Sequence, residues 1–95
     1  MKKFVLLYCG IVQNEKAQAD WAAWFAANGD IFLDGGNPFA GGRWVTAEGA
    51  SDLPAGPDAV NAYSIVSVAD NAAAEALAAS CPAVAGVRVY EALPM

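Results

Sequence analysis

The stretch NAYSIVSVADNAAAEALAAS, residues 61–80, reads as a strand running straight into a helix, and it decides how the rest of the chain is read. Ala62 to Val68 is rich in the β-branched and aromatic residues that suit a pleated, half-buried surface. Asp70 or Asn71 then supplies an N-cap for an alanine-rich helix to about Ser80. Ala73, Ala74, Leu77 and Cys81 form its apolar stripe, and Pro82 stops it. Beyond it, Gly86 to Glu91 alternates as an edge or half-exposed strand does, with Val87, Val89 and Glu91 on one face and Arg88 and Tyr90 on the other.

Towards the N-terminus the same grammar repeats. Residues 2–9 are a near-continuous β-prone run, and its continuous rather than alternating hydrophobicity predicts a central strand covered on both faces. Between Asn14 and Asn28 the period lengthens: Ala17, Trp21, Trp24 and Phe25 share one helical face, Asn14 stands as N-cap and Gly29 as the C′ residue. Ile31 to Leu33 predicts a short strand, broken by DGGNPF at 34–39 and the Gly41-Gly42 pair and resumed at Arg43 to Thr46. Ala47 to Asp58 reads as a surface loop. The order β-α-β-β-α-β, with its second strand interrupted, is that of an α+β, ferredoxin-like fold with an antiparallel sheet. Both helices then cover one sheet face. Packing the free faces of two such sheets would make a dimeric α+β barrel with a cleft between sheet and loops.

Composition narrows the function classes. With 95 residues, the chain is read as one domain, 1–95. Hydrophobic residues make up 57% of it against 16% charged, more apolar surface than a monomer of this size hides comfortably, so a homodimer is expected. A net charge of −5 argues against nucleic acid and anionic membrane surfaces, which need clustered Lys and Arg. The apolar run after Lys2-Lys3 is too short for a signal peptide, and nothing approaches the roughly 20 residues of a membrane span. Without an export signal, Cys9 and Cys81 are expected to be reduced thiols in the cytoplasm. The absence of histidine removes Ser-His-Asp and Cys-His nucleophile systems and most transition-metal sites, and neither metal nor cofactor is expected.

The candidate site residues gather around DGGNPF. As a turn, its glycines supply positive φ while Asp34 and Asn37 bond to nearby amides. As a site, the Gly35 and Gly36 amides would form an anion-binding nest beside Arg43. No Gly-Lys-Ser/Thr follows, so a nucleotide phosphate loop is unsupported. Asp34 would serve as a general base if a cleft desolvated it. Tyr8, Tyr63, Arg88 and Tyr90 lie on three predicted strands, and those sharing the helix-free face would give a cleft with aromatic walls and one cation. Such a cleft suits a small, partly apolar, anionic ligand. Cys81 is read as a small packing residue. Three readings follow in order: a dimeric small-molecule-binding protein, a cofactor-independent lyase or isomerase of small organic acids with Asp34 as base and Arg43 or Arg88 on the carboxylate, and an accessory dimerisation domain.

Taken in order, KKFVLLYCG, WAAWFAANGD, LDGGNPF, NAYSIVSVAD, SCPAV and VRVYEALPM resemble the YCII-related proteins, including the branch named for a D-G-P-F motif. The resemblance covers most of the chain and implies a small dimeric α+β barrel. Some members of that family are held to be enzymes that use a His–Asp pair on small organic acids. This chain departs at both positions: Gln18 stands where the histidine would lie in the first helix, and Cys81 stands before Pro82 where the aspartate would be. Gln18 has no proton to exchange near neutral pH, so the dyad mechanism does not carry over, and Asp34, Asn37 and Cys81 are the residues left to form a site.

Overall fold

A computed structural model describes residues 1–95. The strands are β1 (Lys2–Cys9), β2 (Phe32–Asp34), β3 (Arg43–Thr46), β4 (Gly49–Asp52), β5 (Val60–Val68) and β6 (Gly86–Ala92). The helices are α1 (Glu15–Ala27) and α2 (Asn71–Ala79). Four strands form an antiparallel sheet in the order β2-β5-β1-β6, an α+β arrangement compatible with a ferredoxin-like fold. No helix is long and apolar enough to cross a membrane.

Strand parity sets the layers. Phe4, Leu6 and Tyr8 on β1 and Ala62, Ser64, Val66 and Val68 on β5 are buried, while the residues between them are half-buried. Trp24 of α1 and Ala74 and Leu77 of α2 pack into that same cluster, so both helices lie on one face. The opposite face carries Val5, Leu7 and Ile65, with Tyr90 of β6 beside Val5. β1 is central, as its apolar run implies, but only its helix side is fully covered within one chain.

The helix ends follow local chemistry. Asn14 Oδ1 accepts from the Ala17 amide at 2.8 Å, and Asp70 Oδ1 accepts from the Ala73 amide at 2.9 Å, so each helix opens on a side-chain N-cap. The end of α1 differs from expectation. Gly29 is not a left-handed C′ residue; Asn28 caps the helix, and Gly29–Ile31 makes a short 3₁₀ turn that feeds β2.

Two further expectations are corrected. Arg43–Thr46 does not resume the second strand of the main sheet. It pairs with Gly49–Asp52, within the stretch read as a loop, to make a separate two-stranded hairpin. Nor does DGGNPF turn the chain away. Asp34 pairs with Ile65 and Pro38 bridges Ala62, so the five residues 34–38 on the edge lie against the four residues 62–65 of β5. That is a β-bulge, and the chain keeps running along β5 through it.

Candidate functional site

The bulge is built by side chains that close on it from both ends. Asp34 Oδ1 accepts from the Gly36 amide at 2.8 Å, an Asx-type turn, and Oδ2 accepts from the Tyr63 hydroxyl at 2.9 Å. The Asp34 carboxylate holds the Tyr63 phenol above its ordinary pKa. Buried Ser64 donates to the Gly35 carbonyl at 2.7 Å, and the Phe39 ring stacks on Tyr63 with centroids 5.6 Å apart. Gly36, at φ +85°, lies so close to β5 that a Cβ on it would fall 1.6 Å from the Tyr63 carbonyl oxygen.

A cavity of about 270 Å³ opens between this bulge and α1. Trp21 and Phe25 form one wall and Gln18 stands on the helix beside them. Gly35 to Pro38 form the other wall, with Tyr8 and Ala62 beneath; Tyr63 borders the space, but its place in the strand shares the parity of Ile65 and the helix-free face. The loop between β1 and α1 contributes Ile11, Val12 and Gln13. Asn61 fixes that loop: its Oδ1 accepts from the Gly10 and Ile11 amides at 2.8 and 3.2 Å. No ionic side chain lines the space; its polar side chains besides Tyr8 and the Trp21 indole are the carboxamides of Gln13, Gln18 and Asn37.

The structure gathers some of the candidate residues and separates others. Tyr8, Gly35, Gly36, Asn37 and Tyr63 meet at the cavity. Tyr8 is on the helix side rather than the helix-free side, because it shares the parity of Phe4 and Leu6; its ring packs edge-on to Trp21 at 4.9 Å. Asp34 lies beside the cavity, and both of its oxygens are engaged by the bulge. The Gly36 amide, half of the expected anion nest, therefore already holds an anion, the chain's own carboxylate. Arg43 is on the hairpin, paired with Asp52 at 2.7 Å. Arg88 is on the helix-free face, where its guanidinium donates to the Asp58 carbonyl at 3.2 Å. Cys81 is half-buried against the core, and burial pushes its thiol pKa up; it and Cys9 are free thiols.

Gln13, Ile11 and Asn61 carry no signal in the sequence, which shows Trp21 and Phe25 only as part of one helical face. The available signal was the small residues facing them. Gly35, Gly36 and Ala62 send no bulk towards α1, so the helix's aromatic stripe is left with an open end.

Tyr8 also makes a pH prediction. Its side chain is 1% exposed. Burial pushes its pKa from 10.0 up to about 12, with Ser64 pulling the other way and Cys81 adding slightly. Between those values the unfolded chain has lost the proton and the folded chain keeps it. This contribution to stability is therefore complete below pH 10 and is lost as pH rises towards 12, at about 1.4 kcal/mol per pH unit for one group. Urea denaturation across that window should show Tyr8→Phe losing about 2–3 kcal/mol less than the parent chain. Parallel pH profiles would refute this.

Compared with known protein families, with curated proteins and with solved structures, the chain matches none.

Proposed function

We propose that the protein binds a small, uncharged, partly aromatic molecule in the cavity between α1 and the Gly35–Pro38 bulge. It does so as a homodimer whose helix-free sheet faces pack into an α+β barrel of the kind seen in the YCII-related proteins it resembles. One observation carries the ligand class: aromatic walls and three carboxamides surround a space that no ionic group lines. The cations that favoured an anionic ligand, Arg43 and Arg88, are engaged elsewhere. An apolar cavity of ~150 Å³ accepts benzene, so about 270 Å³ suits a bicyclic ring. Carboxamides offer both donors and acceptors, and they pair best with a ligand that does the same.

Dimerisation is supported by the half-buried Val5, Leu7 and Ile65 and the 55% exposed Tyr90, which share the face that no helix covers. The two free thiols fit a reducing, cytoplasmic setting. The lyase or isomerase reading is less favoured, because a base at Asp34 would first have to release Gly36 and Tyr63.

The test uses 1-naphthamide and 1-naphthoate, a matched neutral and anionic pair, titrated while the Trp21 indole N–H is followed by NMR. The amide should bind at least about tenfold more tightly, since the carboxylate would be desolvated without a counter-charge. Gln18→Trp, at an exposed position on the cavity rim, should fill the space. It should weaken naphthamide binding by about 100-fold or more while stability stays within ~0.5 kcal/mol. Equal binding to the Gln18→Trp chain would place the ligand elsewhere. If neither probe moves Trp21, the accessory dimerisation reading replaces this one.

A further inference from the structure

Every residue from Asn37 to Asp58 is exposed, and the β3–β4 hairpin sits in the middle of that stretch. A two-stranded hairpin alone is at best marginally stable in water. This one has a four-residue ladder, an exposed Arg43–Asp52 pair at its open end and a Thr46 hydroxyl that accepts from the Glu48 amide at its tip. Its ladder hydrogen bonds are paired within a sheet of its own, and neither strand joins the main sheet. Yet β3 is Arg-Trp-Val-Thr, whose aromatic and β-branched residues suit a half-buried surface, and here Trp44 is 62% and Val45 72% exposed.

The surface area gives the size of what would cover it. A compact monomer of 9.8 kDa exposes about 5,200 Å². This chain exposes 6348 Å², about 1,200 Å² more, and its radius of gyration of 14.3 Å exceeds the roughly 12 Å of a compact domain this long. One partner in a stable complex buries about 800 Å². The surplus is thus of the size that one protein interface hides, and the wholly exposed segment from Asn37 to Asp58 contributes to it alongside the helix-free sheet face.

We propose that the hairpin Arg43–Asp52 is an arm that closes on a second copy of this chain, with Trp44 as its anchor. The inference rests on the dimer reading above and adds to it a contact outside the sheet faces. Tryptophan fits the role, since interface anchors are enriched in Trp and the residue stands free of the core cluster of its own chain.

The experiment is sedimentation equilibrium on the full chain and on Trp44→Ser, whose exposed position leaves the monomer fold intact by circular dichroism. The parent chain should dimerise, and Trp44→Ser should raise the dissociation constant by about 30-fold or more, the loss an anchor residue carries. A parent dimer whose constant changes less than about threefold on substitution overturns the arm and leaves the sheet-face dimer standing. A parent chain that stays monomeric removes the dimer reading and the arm with it. Hydrogen exchange provides a second readout: the hairpin amides should be protected at concentrations that populate the dimer and lose protection on dilution. Unprotected hairpin amides in the dimer would also overturn the arm.

Discussion

Replacing Gly36 by alanine is expected to destabilise the fold by about 4 kcal/mol or more, at the far end of what a single substitution does. Two costs coincide. At φ +85° an L-residue with a Cβ loses about 1–2 kcal/mol from backbone sterics alone. The added Cβ would also fall 1.6 Å from the Tyr63 carbonyl oxygen and 2.6 Å from its carbon, and both belong to the backbone of an interior strand that cannot step aside. The bulge must therefore leave β5. With it would go the Asp34–Tyr63 and Ser64–Gly35 hydrogen bonds, and buried Ser64 would be left without its acceptor. Gly35 is the internal control. A Cβ there meets nothing within 4 Å and φ is not positive, so Gly35→Ala should stay within about 0.5 kcal/mol of the parent chain. Urea denaturation of the two variants decides the matter. Equal, small effects would mean that the bulge does not approach β5 as described.

The same pair of glycines shows where sequence reading reached its limit. Gly, Asn and Pro in close succession are what a reversing turn uses, and also what a bulge uses. The difference lies in which strand the segment touches, and that is set by Tyr63 and Ser64, 29 residues away along the chain. Features closed by neighbouring residues were readable. Asn14 and Asp70 cap their helices with side chains that reach three residues on, and the strand at Ala62–Val68 carries its own β-prone composition. Arg43–Thr46 was legible as a strand but its partner was not: Gly-Ala-Ser-Asp has little β preference and becomes a strand by pairing across a short turn. The uninterrupted apolar run of β1 hid its parity, so Tyr8 could not be assigned to the helix side until the sheet was seen. For the cavity, only half of the information is local. The Trp21–Phe25 stripe is visible in the helical spacing of α1, whereas the gap opposite it depends on small residues from β5 and the bulge meeting there.

Truncating Trp24 to alanine should cost about 3–5 kcal/mol, and the cavity should be lost with it. Trp24 is the buried residue of α1; it lies edge-on to Tyr8, Trp21, Phe25 and Phe32, with centroids 5.2–6.2 Å away. Its Nε1 donates to Ser80 Oγ at 2.9 Å, and Ser80 donates in turn to the Leu77 carbonyl, so one side chain ties α1 to the end of α2. Removing the ring deletes the packing that holds α1 at its height above the sheet, and Trp21 and Phe25 form the cavity wall only at that height. In a domain of this size each 1 kcal/mol lowers the melting temperature by roughly 4–8 °C, so a fall of about 15 °C or more is expected. Trp24→Phe is the milder change: it keeps an aromatic ring in the cluster but gives up the bond to Ser80 and the volume of the larger ring, for about 2–3 kcal/mol. In that variant the Trp21 indole should still respond to naphthamide, whereas in Trp24→Ala the response should disappear even at temperatures where the chain remains folded. A Trp24→Ala chain that bound the probe unchanged would show that the cavity is held by the bulge alone and that the seating of α1 has no part in it.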